Sequence, residues 1–260
     1  MSTVPTQTYL TYEHPLNERV RTLLRLEFLF RQTRHFISGA STWDSRAAVA
    51  GLMDILTLLA RSDLKTELIK ELERHAANLG RLVNTEGVDH TQLKNILHWL
   101  DKLRDVLNNK GGQLDQSLRE DDLLTAIRQR SSIPGGTCDF DLPLYHHWLH
   151  RPAEQRQARL DSWLTNLDTV RQSIDLILKL IRNSAEPVTV TAIAGAYQHS
   201  LDTSVPFQLL RISIPADHPC YAEVSGGKHR FAVRFMSPGE GCRPQQTDAD
   251  IRFRLTCCAL

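Results

Sequence analysis

The sequence lacks the features that define several large protein classes. No apolar run approaches the ~18 residues that a membrane-spanning helix needs, and Met1-Ser2-Thr3-Val4-Pro5 does not open a signal peptide. Neither sign of charge is in excess, since 31 Lys and Arg residues face 30 Asp and Glu residues, and this balance argues against a dedicated nucleic-acid binder. With 41% apolar residues over 260 positions, the chain can bury a sizeable core, and it is neither disordered nor collagen-like.

Catalytic and cofactor motifs are also missing from the sequence. There is no G-x-S-x-G elbow, P-loop, dinucleotide G-x-G-x-x-G or H-E-x-x-H. The five cysteines are odd in number and show no C-x-x-C spacing, which favours free thiols in a cytosolic protein. His146 and His150 have the i, i+4 spacing that a metal could use, but no second ligand pair accompanies them, which favours a structural or partner-contacting role. We therefore expect no enzyme activity, no metal site and no cofactor.

The hydrophobic periodicity divides the chain into two regions. Up to about Ala185, apolar side chains recur at helical spacing and the spacers are short, whereas after Glu186-Pro187 they alternate as in strands. This pattern predicts an α+β fold, with an antiparallel helical bundle over 1–185 followed by a small antiparallel β-sheet domain over 186–260. Residues 8–12 could add an N-terminal edge strand.

Several local features of these elements can be predicted. Phe28 falls on the broad apolar face of a first helix, Asp44 and Ser62 can cap the next two, and one helix spans Ser117 to Ser131. About five strands in the last 75 residues predict a single sheet with one buried face. Ser225-Gly226-Gly227-Lys228 is typical of a hairpin turn between two of these strands.

The positive charge is concentrated in rows. Arg21 and Arg25 are i, i+4 neighbours on the first helix, and a second group surrounds the fifth helix. In the strand region, Arg230 alternates with Arg234, and Arg252 alternates with Arg254, opposite apolar side chains. Such rows suit bidentate capture of carboxylates, although arginine rows beside apolar faces are often ordinary solvated surface.

Three classes of function remain on physical grounds. The protein could recognise an acidic segment of another protein, bind nucleic acid weakly through the arginine-rich sheet face, or be an enzyme whose site is not recognised. Exposed aromatic residues do not alternate with the sheet arginines, as stacking on single strands would require. No convergent acid, base and nucleophile set is present. The sequence therefore favours the interaction protein.

Several blocks of the sequence resemble the ZapD family of bacterial cell-division proteins. The resemblance begins with Glu13-His14-Pro15-Leu16-Asn17-Glu18 and ends at Cys257-Cys258. Its most specific part runs from Ile133-Pro134-Gly135-Gly136 through Phe140-Asp141-Leu142-Pro143 to Trp148-Leu149-His150. Residues 30 to 60 and 200 to 206 match poorly.

The resemblance implies a cytoplasmic homodimer that is recruited to the division ring at mid-cell. Such a protein binds the C-terminal tail of FtsZ, bundles FtsZ protofilaments, is not an enzyme and needs no cofactor, membrane or nucleic acid. The residues expected to contact this partner lie in the matching blocks or on the sheet: Arg21, Arg25, Arg119, Arg128, Arg130, His146, Arg230 and Arg234. Asp122 stands where family members can carry a basic residue, so one positive charge is absent there.

Overall fold

The computed structural model describes residues 7–60, 63–109, 111, 114–227, 229–239 and 243–259. The chain divides into two compact units, one formed by Met1–Arg21 with Leu178–Leu260 and the other by Thr22–Ile177. The helices precede the strands in sequence, apart from one N-terminal strand, which confirms the α+β class.

Helices and strands are numbered in chain order. The helices are α1 Glu18–Ile37, α2 Thr42–Leu59, α3 Leu64–Gly80, α4 His90–Asn109, α5 Gln116–Arg119, α6 Asp122–Arg130, α7 Pro143–Leu149, α8 Ala153–Thr165 and α9 Asp168–Arg182. The strands are β1 Tyr9–Pro15, β2 Val188–Ala192, β3 Ala196–Ser200, β4 Phe207–Pro215, β5 Tyr221–Gly226, β6 Arg230–Ser237, β7 Gln245–Gln246 and β8 Ile251–Ala259. The unit boundaries fall within α1 and α9.

The strands form two antiparallel sheets instead of the single sheet that the sequence predicts. The first sheet has the order β1-β4-β8-β2, and the second has the order β3-β6-β5 with β7 paired to the end of β6. Alternating apolar side chains from both sheets share one core, in which the rings of Phe235 and Phe253 lie 5.1 Å apart. In this core the apolar face of each sheet is covered by that of the other.

The hairpin predicted after Val224 is present. β5 pairs antiparallel with β6, and the backbone N–H of Gly227 donates to the carbonyl of Arg230 at 3.0 Å. A Cβ on Gly226 would approach the Cβ of Phe231 to 2.5 Å, so glycine is required where the two strands meet. Lys228 lies outside the described residues.

Strand β1 is joined to the rest of its unit by an ion-pair group as well as by its backbone. It pairs along its whole length with β4, and Glu13 faces Arg211 in that register. The Glu13 carboxylate accepts from Arg211 Nε at 3.0 Å and from Arg182 Nη2 at 2.8 Å. One acid thus neutralises two arginines on this face of the sheet.

The helix α2 begins one turn earlier than predicted. Its N-cap is Ser41, whose Oγ accepts from the N–H of Asp44, while the Asp44 carboxylate accepts from the backbone N–H of Ser41 at 3.0 Å. Asp44 is therefore the third residue of a capping box and not the cap itself. The expected cap at Ser62 lies outside the described residues.

The helix predicted over Ser117–Ser131 is divided in two at Asp121. The Asp121 carboxylate accepts from the N–H of Leu124 at 3.0 Å, which caps α6, and it also accepts from Trp163 Nε1 at 3.0 Å and from Arg159 Nη2 at 3.1 Å. Partial burial acts to raise the pKa of Asp121, but these three donors outweigh it and lower the pKa. The side chain that interrupts one helix therefore starts the next.

Arg156 on α8 is the main polar junction of the helical unit. Its side chain is only 5% exposed, yet its nitrogens have oxygen partners at four positions. They donate to Ser45 Oγ at 3.0 Å and to the carbonyls of Leu149, Arg151 and Ala40 at 3.0, 2.7 and 2.5 Å. One guanidinium thus joins α8 to α2 and to the end of α7.

Replacing Arg156 with methionine should lower the free energy of unfolding by about 3 kcal/mol, because buried oxygens lose their donors while the apolar volume is kept. Urea denaturation followed by circular dichroism measures this change. The matched control is Arg128→Met, because the Arg128 side chain is exposed and makes no hydrogen bond among the described residues. A loss for Arg156→Met no larger than that of the control would contradict the role of Arg156 as a junction.

Replacing Asp121 with asparagine should make stability less dependent on pH in the acidic range. Because the pKa of Asp121 is lowered in the folded state, the ionised carboxylate stabilises the fold at pH values above 3.8, its ordinary pKa. This contribution is lost as the pH falls through the folded-state pKa. The unfolding free energies of wild type and variant should therefore converge below about pH 4. Urea melts from pH 3 to 7 test this, with Asp122→Asn as the control. A wild-type advantage that is independent of pH would overturn the assignment.

Candidate functional site

The described residues offer no evident catalytic or membrane-spanning feature. None of their helices combines the length and the apolar character that crossing a bilayer requires. No three His, Cys, Asp or Glu side chains of this part of the chain cluster as a metal site would need. The four cysteines within it are free thiols, and burial raises the pKa of Cys258 to about 11. The remaining candidates for a functional site are surface groups.

The α1 arginines are accompanied by an exposed aromatic residue. Arg21 pairs with Glu18 at 3.0 Å, whereas Arg25 is exposed and has no ion pair among the described residues. Phe28 is 58% exposed, so its predicted place on the buried apolar face is wrong. The spacing of Arg21, Arg25 and Phe28 puts them on one side of the helix, because i, i+4 and i+7 lie on the same face. This face thus presents a cation beside an exposed ring.

Arg119 has a different environment from the other predicted contact residues. Its Nε donates to Asp115 Oδ2 at 2.8 Å, and the Asp115 side chain is buried. The Arg119 backbone carbonyl also accepts from Thr125 Oγ1 at 2.9 Å. These contacts fix the short α5 against α6, and they occupy the guanidinium edge that would otherwise face a partner.

Helices α6 and α7 contact each other and bring together three of the predicted residues. Arg128 and Arg130 are exposed in the last turn of α6, and His146 is exposed on α7. Arg130 lies 3.6 Å from the Asp141 carboxylate, while Arg128 has no ion pair among the described residues. The His146 ring lies against His150, with centroids 4.3 Å apart.

Exposed apolar side chains accompany these residues on α7 and in the loop between α6 and α7, and sequence reasoning missed them. The family-matching block alternates between buried and exposed positions: Tyr145, Trp148 and Leu149 are buried, whereas Ile133, Phe140 and Leu144 are 47%, 80% and 54% exposed. We call the set Arg128, Arg130, Ile133, Phe140, Leu144 and His146 the α6–α7 surface. The sequence gives one signal for this surface. The family-matching block has more apolar positions than one face of a helix can bury, so some of them must be exposed.

The loop within the α6–α7 surface is held in a defined shape. Gly135 has a φ of +72°, and a Cβ on Gly136 would lie 2.6 Å from the carbonyl oxygen of Arg130. Both positions therefore require glycine. From the α2 side, Arg46 donates to the carbonyl of Thr137 at 3.2 Å, and its guanidinium lies 5.1 Å from the centre of the Tyr145 ring. Ile133 and Phe140 thus lie on a loop whose shape is supported by neighbouring residues.

The two arginine rows of the strand region lie on different sheets. Arg230 and Arg234 are exposed on β6 of the second sheet, and Arg234 lies 3.4 Å from Glu223. Arg252 and Arg254 are exposed on β8 of the first sheet. Because the alternate residues of both strands fill the shared core, the two rows point away from each other on opposite outer faces.

Asp122 is exposed at the first position of α6. An acid at this position interacts favourably with the helix dipole, which accounts for it locally. It also places a negative charge one helix length from Arg128 and Arg130, at the opposite end of α6.

Comparison with known proteins identifies the family. The family model ZapD, described as "Cell division protein", matches residues 24–234. A Cell division protein ZapD from Methylococcus capsulatus is 44% identical over 96% of this chain and 98% of its own length. Proteins of the same name from Cronobacter sakazakii and Azoarcus sp. BH72 are 40% and 38% identical, over 97% and 96% of this chain and all of their own length. The chain therefore belongs to the ZapD family of cell-division proteins.

Proposed function

We propose that this protein binds the C-terminal tail of FtsZ and, as a cytoplasmic homodimer, cross-links FtsZ protofilaments in the Z ring at mid-cell. The observation that carries the proposal is the α6–α7 surface, where exposed basic and apolar side chains lie on two contacting helices and on the loop that joins them. A division protein that acts in this way needs a docking surface and no catalytic centre.

The chemistry of the α6–α7 surface fits an acidic segment that also carries apolar side chains. Among the described residues, Arg128 and His146 have no ion pair that must break before they contact a carboxylate of the partner. Arg130 would have to share its guanidinium between the partner and Asp141. Phe140 and Leu144 offer apolar area that water now covers, and burying it adds affinity that salt does not screen. Charge then guides the encounter, and apolar contact retains the bound tail.

The remaining predicted residues take different parts in the proposal. Arg21 and Arg25 on α1 provide a second basic stretch, with Phe28 as its apolar element. Arg119 acts as a positioning residue, because its guanidinium is held by Asp115. Arg230 and Arg234 would contact acidic groups from the outer face of the second sheet.

Bundling requires two tail sites in one particle. A two-fold dimer presents the same surface twice, so that each copy can hold a tail from a different protofilament. Once one tail is bound, the second binds at the high local concentration that the first contact creates. Cross-linking then needs no further contact between the protein and FtsZ.

Arg128→Ala and Phe140→Ala should both weaken tail binding, but with different responses to salt. We expect a loss of about five- to tenfold for each in fluorescence anisotropy with a labelled tail peptide. For Arg128→Ala the loss should shrink at high salt because the removed contact is electrostatic, and for Phe140→Ala it should persist. Lys94→Ala, which removes an exposed cation on α4, is the matched control.

Sedimentation with intact and tail-truncated FtsZ tests the tail requirement directly. Intact protofilaments should carry the wild-type protein into the pellet, and truncated ones should not. Equal pelleting with both forms, or equal affinity of Arg128→Ala, Phe140→Ala and Lys94→Ala, would remove the α6–α7 surface from the proposal. A total lack of pelleting would point instead to another acidic partner.

An excess of isolated tail peptide should disperse preformed bundles, because each dimer arm fills with peptide and can no longer bridge. Light scattering and electron microscopy follow the loss of bundles, and sedimentation velocity should show that the protein remains a dimer. A peptide of the same composition in scrambled order is the control. Bundles that persist at saturating peptide, or bundling by a monomeric protein, would refute the bivalent mechanism.

A further inference from the structure

A second basic feature lies on the first sheet, at a place that the proposed FtsZ contact does not use. Arg252 and Arg254 project from the same face of β8, about 6.6 Å apart along the strand. Both are exposed, and neither makes an ion pair with any acid that the structure describes. They border a cleft of about 310 Å³.

The Arg254 guanidinium is held in place by an aromatic ring. Its central carbon lies 4.0 Å from the centre of the Tyr9 ring of β1, close enough for a cation–π contact. Stacking fixes the guanidinium plane and leaves its N–H edges available as donors. The side chain therefore loses little further conformational freedom when an anion binds.

The lining of the cleft includes several hydrogen-bond donors and, among the described residues, no carboxylate. Gln7, Tyr9, Thr189 and Pro215 line it together with Arg252, Phe253 and Arg254. Thr189 faces Arg254 in the register between β2 and β8. Tyr9 Oη donates to Gln7 Oε1 at 3.0 Å, which leaves the Gln7 amide nitrogen as a donor. One cleft is thus lined by the guanidinium groups of Arg252 and Arg254 from β8, the Thr189 hydroxyl from β2 and the Gln7 amide from the segment that leads into β1.

At the opposite end of the same sheet face, two arginines are neutralised by an acid. There Glu13 accepts from both Arg182 and Arg211. No described acid takes that place beside Arg252 and Arg254, although the chain has nearly equal numbers of acids and bases. The missing counter-charge is therefore local to the cleft.

We propose that this cleft binds a phosphate group. A carboxylate presents two oxygens in one plane, which one guanidinium fork satisfies, whereas a phosphate presents three or more oxygens in different directions. Guanidinium, hydroxyl and amide donors that come from three segments of the chain match the second geometry. The proposal is independent of FtsZ, since none of the lining residues belongs to the α6–α7 surface.

Titration with pyrophosphate, followed by two-dimensional amide NMR of the full chain, tests this site. Shifts should be confined to β8, β2 and the start of β1, and the apparent affinity should fall with added salt. Arg254→Gln should weaken binding at least tenfold, roughly the effect of losing one charge-assisted contact. Arg254→Lys should restore the charge but only part of the affinity, because an ammonium lacks the planar fork.

Arg243→Gln is the matched control, because it removes an exposed arginine of the same unit that has no ion pair among the described residues.

Flotation with phosphatidylglycerol vesicles distinguishes a lipid headgroup from a soluble phosphate compound as the source of the phosphate. Wild-type flotation that Arg254→Gln abolishes would assign a lipid headgroup, and pyrophosphate binding without flotation would assign a soluble phosphate compound. Unchanged NMR spectra without flotation, or equal losses for Arg254→Gln and Arg243→Gln, would overturn the proposal. Thermal melts confirm that each variant is folded.

Discussion

The buried guanidinium of Arg156 is the interaction on which the helical unit depends. A charge that is almost fully removed from water must have its donors satisfied, and here they are satisfied by Ser45 Oγ and three main-chain carbonyls. Those acceptors lie on or just before α2, at the end of α7 and just before α8. Because the donors form a rigid planar fork, the acceptors must stand in fixed positions relative to one another.

That constraint reaches the α6–α7 surface. Arg156 holds the last turn of α7 through the carbonyl of Leu149, while Tyr145 and Trp148 pack inward from the same helix. Arg46 supports the preceding loop through Thr137, and Gly136 allows the loop to close against the end of α6. The exposed cations and apolar groups are therefore carried by a framework whose own polar groups are internally satisfied. Such rigidity reduces the ordering cost when a flexible tail binds.

The fold class could be predicted from the sequence because the change from helical to alternating periodicity is a property of the residues themselves. The division into a helical region to residue 185 and a strand region from 186 stays a prediction. The break at Asp121 could not be predicted, because it depends on donors from Trp163 and Arg159, which are distant in sequence. The second sheet was missed because alternation reports which residues share a face, not which strands pair.

The sequence could predict which residues belong to the candidate site better than it could predict their surroundings. The arginines could be named from the matching blocks, but only the structure separates Arg119, which is held by Asp115, from Arg128, which faces water. The spacing of Phe28 fits an apolar stripe and predicts burial, but burial is decided by what packs against that stripe, and Phe28 is exposed. The exposure of Leu144 next to the buried Tyr145 has the same origin, because adjacent positions in one block meet different surroundings.

The first sheet has a consequence for how the protein is made. Its strand β1 precedes the helical unit in sequence, its inner strand β8 follows that unit, and both pair with β4. The sheet cannot be completed until β8 has emerged from the ribosome, whereas the unit formed by Thr22–Ile177 is continuous in sequence and can fold during synthesis. Until β4 has been synthesised, the backbone of β1 has no neighbouring strand of this sheet to pair with. A chain whose synthesis stops before Ile251 would therefore lack β8, the strand that joins β4 to β2. Its helical unit could fold, but its first sheet would be divided.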